Sequence, residues 1–359
     1  MKRFSLIFLG ALAILMAGCS KNNPQQPDPD AWVHDLSLPV PIQFGSPLPV
    51  TKAVGFVDAS DLEGIDIGVY GLDKSADAVW NLQDLTSGDV ILANKKGTIT
   101  QGSIDLEGGP YYYPRVSEKN YTFYGYYPKT SPTTSDGGGL YVNVPLVNTD
   151  VLWSRAEAKG DGYNAMYLRK IRSGLIDDEV PTFNFEHSTT GLKFIAKANL
   201  EGGIHNDDDF TTTKITKVRV LDVYHNGQLC VAHQTNKALE GTIRPIGEKS
   251  NAKIEELDES VGLSPTGAGT ELGELFLYAD PDLTDGFTVE VVVQTKAWSE
   301  YVFSFTTGPV EPKTQYTFNL TFNYEDPINI RVGELSWTGG TEVKDVNTSG
   351  DITGSGDSD

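Results

Sequence analysis

Apolar and polar residues alternate at strand period along most of the chain. The clearest run is Tyr316-Thr317-Phe318-Asn319-Leu320-Thr321-Phe322-Asn323-Tyr324, which alternates without a break. One face of such a strand meets a core, and the Thr and Asn face meets water. Asp66-Ile67-Gly68-Val69-Tyr70 opens the regular strands. Tyr121-Thr122-Phe123-Tyr124-Gly125-Tyr126-Tyr127 follows, ended by Pro128, and Leu140 to Val147 alternates again. Later runs place apolar residues at Leu192, Phe194, Ala196 and Ala198, at Phe287, Val289, Val291 and Val293, and at Tyr301, Phe303 and Phe305. His225-Asn226-Gly227 separates Val218–Tyr224 from Leu229-Cys230-Val231. Asn-Gly between β-runs is a strong hairpin signal, so a tight turn is expected there.

One stretch differs. From Leu36 to Val50 apolar residues alternate at Leu36, Leu38, Val40, Ile42 and Phe44, but Pro39, Pro41, Pro47 and Pro49 interrupt. Proline cannot donate to a ladder, so this is an edge strand or a detachable one.

Many short strands, turn signals between them and almost no helical period predict an all-β chain of two tandem β-sandwiches, with room for small helices in loops. Pro181 marks the expected boundary, dividing residues 36–180 from 181–346. A weak echo supports the division: Pro114 precedes Tyr121-Thr122-Phe123 as Pro312 precedes Tyr316-Thr317-Phe318. A length of 359 residues agrees with two domains at about 150 residues each.

The ends carry different signals. Lys2 and Arg3 precede an apolar run from Leu6 to Leu15 and Met16-Ala17-Gly18. This is the layout of a secretory leader over residues 1–18, too short to span a bilayer, which takes about 20 residues. Cys19 follows directly, an arrangement that resembles the lipobox of bacterial lipoproteins, whose cysteine is acylated and becomes the mature N-terminus. Met16 stands where that pattern prefers Leu. Each buried methylene of an acyl chain contributes about 0.8 kcal/mol, so several chains on Cys19 would hold the protein firmly to a membrane. Residues 19–35 are Pro-rich and polar, a spacer. At the other end Ile328, Ile330 and Val332 alternate, Gly333 interrupts, and Leu335 and Trp337 resume. Val343 and Val346 follow Gly339-Gly340, and residues 347–359 form a Ser/Gly/Asp tail expected to be disordered. A plain last strand with a frayed tail is one reading. A final strand whose end peels away at the glycines is the other.

Charge and chemistry narrow the function. The formal net charge of −21 repels nucleic acid. If Cys19 is acylated, Cys230 has no disulfide partner and reads as a buried strand residue. Nucleophile elbow, His-Glu-x-x-His, P-loop and zinc-spaced cysteine pairs are all missing from the sequence, and His34, His187, His205, His225 and His233 are scattered. Asp280 to Gly286 is similar to a calcium loop, but Asp285 falls where that loop needs glycine and no glutamate closes it. A turn is the better reading. No cofactor and no enzymatic activity are expected. Arg169 to Arg172, a basic cluster in an acidic chain, reads as a solvated loop or a protease-sensitive site. Tyr111-Tyr112-Tyr113 and Trp298 raise an alternative, a glycan-binding surface lipoprotein with aromatic platforms. Core packing is the commoner role of strand aromatics.

The order of these pieces resembles the fimbrillin family, the type V pilins of anaerobic gut and oral bacteria. The matching pieces are the lipobox at Cys19, the Pro-rich spacer, Thr51-Lys52-Ala53, Asp66–Tyr70, Tyr121–Pro128 and Asp150-Val151-Leu152-Trp153. Phe185-Glu186-His187, Gly191-Leu192-Lys193-Phe194 and the late Trp337 complete the set. The resemblance implies transthyretin-like sandwiches, export as an outer-membrane lipoprotein, and a place in a surface fimbria as stalk, tip or anchor. Its partners would be other fimbrial subunits, the outer membrane through the lipid, and a host or bacterial surface ligand. It also implies proteolytic loss of an N-terminal strand, and a donor strand from the next subunit in its place. Typical members are cut after arginine; here Lys52 is the suitably placed residue, with Ala53 as the new N-terminus. The expected donor lies within Ile328 to Val346, with Ile330, Val332, Leu335, Trp337 and Val343 as its apolar residues.

Overall fold

The computed structural model describes residues 35–45, 62–82, 88–115, 119–131, 133–159, 162–198, 214–254, 261–262, 269–280, 285–294, 301–322, 329–335 and 346–347. Its strands in chain order are β1 (Asp66–Asp73), β2 (Val90–Thr100), β3 (Ser103–Leu106), β4 (Tyr121–Tyr127), β5 (Thr133–Asp136), β6 (Gly139–Pro145) and β7 (Leu152–Ala156). Helix α1 (Ala165–Arg172) comes next, then β8 (Glu186–His187), β9 (Thr190–Ala198), β10 (Lys214–His233) and β11 (Ile243–Lys253). They continue as β12 (Val261–Gly262), β13 (Thr270–Leu277), β14 (Thr288–Gln294), β15 (Tyr301–Thr306), β16 (Gln315–Phe322), β17 (Asn329–Leu335) and β18 (Val346–Asn347). The all-β expectation holds.

Three sheets form. The first has the order β3-β2-β1-β4-β7-β8, and the third β13-β9-β16-β17-β18. The second runs β15-β14-β10-β6-β5, with β11 and β12 also paired to β10. Among the named strands the described pairings are antiparallel except for β16 beside β9.

The first sheet is buried on both faces, which explains its aromatic content. In β1, Ile67 and Val69 enter one core while Tyr70 and Leu72 enter the opposite one. In β4, Tyr121 and Phe123 join the former, Tyr124 and Tyr126 the latter. Period-two alternation thus sorts side chains between two apolar layers rather than between core and water. On the Tyr124 side the cover is the second sheet, through Leu140, Val142 and Val144 of β6 and Leu229 and Val231 of β10. A further core lies between the other half of the second sheet and the third sheet, with Val218, Val220, Val289, Val291, Leu192, Phe194 and Phe318.

Strand β10 serves both of these cores, and here the structure corrects the sequence. Asn226-Gly227 is not a turn. The strand continues through it, pairing Asn226 with Pro145 and Gly227 with Val144 of β6 on one side and with Ile246 and Pro245 of β11 on the other. Gly227 does not adopt a positive φ. It is glycine because a Cβ would stand 2.8 Å from both Ile243 Cγ2 and Leu146 Cδ1. The irregularity lies earlier. Between Val220 and Val223 the register with β11 slips, and Asp222 has φ +52°. An extra residue in the left-handed region is a bulge, which bends a strand and raises its twist. Val218 and Val220 before it and Val223, Leu229 and Val231 after it are all buried, so the odd count keeps one face inward. Strand β10 thus crosses between the two cores: its residues 226–233, with Ile243 of β11, complete the layer over the first sheet, while Val218, Val220 and Ala252 of β11 join the core with the third.

Cys230 is a buried residue of β10, as the pattern implied. Burial pushes its thiol up to about 11, so it stays protonated.

Candidate functional site

The site of interest is the other face of the first sheet. Its cover includes an extended segment, residues 38–45, the strap. The alternation read from the sequence is realised from Val40 onward: Val40, Ile42 and Phe44 are 1%, 6% and 4% exposed, whereas Leu36 and Leu38 are 42% and 40% exposed. Phe44 packs edge-on against Phe123 of β4, centroids 4.9 Å apart, and 5.0 Å from Phe183. Tyr113, Tyr163 and Leu168 line the same core.

The strap is held by few backbone bonds. Ile42 N–H donates to the Tyr111 carbonyl at 2.8 Å, and Tyr113 N–H to Val40 at 3.0 Å. At the far end Gly45 N–H donates to Pro181 at 2.9 Å and Phe183 N–H to Gly45 at 3.0 Å. The prolines fit this pattern. Pro41 lies opposite Tyr112, and the ladder bonds fall on its neighbours, so its missing N–H costs nothing there.

Helix α1 closes the groove beside the strap. Asn164 caps it, its side chain accepting from Tyr167 N–H at 2.8 Å. Its last turn carries Arg169, Lys170 and Arg172, the favourable end for cations. This corrects the reading of that cluster as a solvated loop. Arg169 is fully buried, and its Nη2 donates to the Leu38 carbonyl at 2.5 Å. Its Nε and Nη1 have no partner among the described residues. Burial pulls its pKa down, and the charge of Asp35 opposes that. Arg172 reaches Gln43 Oε1 at 3.2 Å. The signal was available: Ala165, Leu168 and Ile171 recur at three-residue spacing after a capping Asn.

The three tyrosines do not form a platform. Tyr113 is buried, Tyr112 is exposed, and half-buried Tyr111 donates its hydroxyl to the Glu107 carbonyl. Among the described residues no group of three His, Cys, Asp or Glu is placed to hold a metal. Cys19, Lys52, Ala53, Ile328, Trp337, Val343, Trp298, Asp280's following residues 281–284 and the tail 348–359 lie outside the described residues. Ile330, Val332 and Leu335 lie in β17, paired with Leu320, Phe318 and Gln315 of β16, and Val346 in β18 pairs with Val332.

The fimbrillin-like family model matches residues 51–338. The chain belongs to the fimbrillin-like family. That membership makes it a fimbrial or adhesive subunit, a component of a cell-surface appendage whose partners are other fimbrial subunits. Among solved structures the fold is similar to that of a proposed cell adhesion protein from Bacteroides uniformis, with 16% identity and a TM-score of 0.51 over 84% of this chain and 99% of that one. It is similar also to a fimbrial protein from Bacteroides vulgatus, with 13% identity and a TM-score of 0.51 over 83% and 99%. At such identities the likeness is one of fold. No curated protein matches the chain in sequence.

Proposed function

We propose that this fimbrial subunit is exported as an outer-membrane lipoprotein acylated at Cys19 and polymerises by exchanging strands. A cut between Lys52 and Ala53 severs the strap from β1, and a segment within Ile328 to Val346 of the next subunit replaces it. The observation that carries this reading is the strap itself. Val40, Ile42 and Phe44 fill a core, each contributing roughly 1.5–3 kcal/mol of burial, yet covalent continuity with the first sheet runs through the segment that holds Lys52. Once that link is cut, the strap is a bound peptide. Its loss exposes apolar surface and unpaired backbone groups at Tyr111, Tyr113 and Phe183, which β-augmentation by another strand restores. The role is mechanical and involves no catalytic chemistry.

The test is N-terminal sequencing of assembled material, with Lys52→Ala and Cys19→Ala alongside. Assembled wild-type subunits should begin at Ala53, Lys52→Ala should stay unprocessed and unassembled, and Cys19→Ala should take up no labelled palmitate. Polymer whose subunits begin at Cys19 overturns the exchange reading.

A further inference from the structure

The strap leaves one group in its groove badly served. Arg169 is a cation with no exposed surface and three donor nitrogens, of which only Nη2 donates a hydrogen bond, to the Leu38 carbonyl. A buried charge needs a partner of opposite sign and full hydrogen bonding. Asp35 is exposed and its carboxylate is engaged by the Ser37 hydroxyl and amide, so it supplies a field but no contact. Nε and Nη1 have no acceptor, and departure of Leu38 frees Nη2, which with either of them forms the two-donor edge that takes a carboxylate in bidentate fashion.

The sequence contains a second copy of the strap's pattern with a carboxylate in it. Leu38-Pro39-Val40-Pro41-Ile42-Gln43-Phe44 has its counterpart in Asp326-Pro327-Ile328-Asn329-Ile330-Arg331-Val332. Proline stands second in both, aliphatic residues third, isoleucine fifth and an apolar residue seventh. The residue in the place of Leu38, whose carbonyl Arg169 holds, is Asp326.

We propose that Arg169 sets the register of the strand that replaces the strap, and that this strand is residues 326–332 of a second copy, with Asp326 on the Arg169 guanidinium. The inference rests on the strand-exchange reading. Two details fix where the preference for the newcomer comes from. Val332 is smaller than Phe44, so apolar packing against Phe123 and Phe183 does not favour it. Arg331 takes the place of Gln43 near Arg172, an unfavourable pair but at an exposed position, where salt screens it. The carboxylate on a buried, under-bonded cation is the gain. β17 gives up its pairing with β16 in the exchange and takes up the bonds of the strap.

The pairing is tested by charge reversal in the full chain, reading the detergent-resistant oligomer ladder after processing. Arg169→Asp and Asp326→Arg should each lower the ladder at least tenfold. Mixed in equal amounts, the two variants should recover it, because each groove then meets a donor of opposite charge. A milder pair covers the case in which Arg169→Asp does not fold. Arg169→Met and Asp326→Asn should each weaken the ladder, and the double variant should weaken it no further than either alone. If wild type ladders while the single variants are unimpaired, or the mixture is no better than its components, the Arg169–Asp326 pairing is wrong and strand exchange stands. If processed wild type forms no ladder, both fall.

Discussion

Both faces of the first sheet bury aromatic and aliphatic side chains, but they are covered by different means. On the Tyr124 face the cover is a sheet. Residues 139–145 of β6 and 226–233 of β10 pair with each other over their length, and a buried ionic cluster pins the end of β10 to the sheet below. Glu240, its side chain 1% exposed, accepts from Lys74 Nζ at 2.9 Å, Tyr124 Oη at 3.0 Å and His233 N–H at 3.0 Å through Oε1. Its Oε2 accepts from Arg155 Nη1 at 3.1 Å. On the Phe123 face part of the cover is the strap, a single extended segment bonded near each end, beside a helix of two turns. One cover is knitted into the fold. The other can leave without breaking any ladder within a sheet. Under the strand exchange proposed above, the chain gives up one element and keeps its fold, and this asymmetry serves that.

The sharpest way to break the comparison is to unpin the knitted face. Glu240→Ala leaves Lys74 buried without its counter-charge and Arg155 with Glu157 alone, and breaking such a set costs about 3–5 kcal/mol. Urea unfolding should show that loss in the midpoint of the global transition. A loss under about 1 kcal/mol would mean that the cluster does not hold the two sheets together.

Phe44→Ala sharpens it from the other side. Truncating a buried Phe costs about 3 kcal/mol where the site cannot collapse. Here the cost should appear as local opening. Amide exchange at Ile42, Gly45, Tyr113 and Phe183 should accelerate, while amides of β6 and β10 keep their protection. Equal acceleration on both faces would show that the strap is an integral part of one cooperative unit.

How much of this asymmetry is legible without coordinates depends on what the residues encode. Strand period at Val40, Ile42 and Phe44, set among prolines, announces an edge or detachable strand, and the structure shows an extended segment whose three apolar residues are buried and whose backbone bonds are few. The strands around Tyr121, Leu140, Val289 and Tyr316 are likewise where alternation places them. Asn226-Gly227 misleads because the same glycine answers a different need: room for Ile243 and Leu146 instead of a positive φ. The left-handed residue is Asp222, which carries no strong turn signal. Arg169 and Glu240 are invisible for a common reason. Long charged residues are usually solvated, and only the tertiary neighbours, Leu38 for one and Lys74, Tyr124 and Arg155 for the other, make them interior. The sharing of β10 between cores is hidden too, since a strand's two halves look alike whichever sheet lies over them.

The smallest effect expected isolates the helix that holds Arg169. Asn164 caps α1 through one hydrogen bond, to Tyr167 N–H, and its Nδ2 donates to Asn120 Oδ1 at 2.7 Å. Replacing a capping Asn by Ala costs about 1 kcal/mol. An eight-residue helix has little intrinsic stability and depends on its cap and its buried face, here Ala165, Leu168 and Arg169. Asn164→Ala should therefore loosen the Arg169 end of the strap, raising the rate at which a protease nicks residues 38–45 severalfold. Global unfolding should move by no more than that 1 kcal/mol, and the exchange of β10 amides should not change. A strap as protected as in wild type would show that Tyr111 and Phe183, rather than the helix, retain it. It would also confine Arg169 to whatever strand comes after.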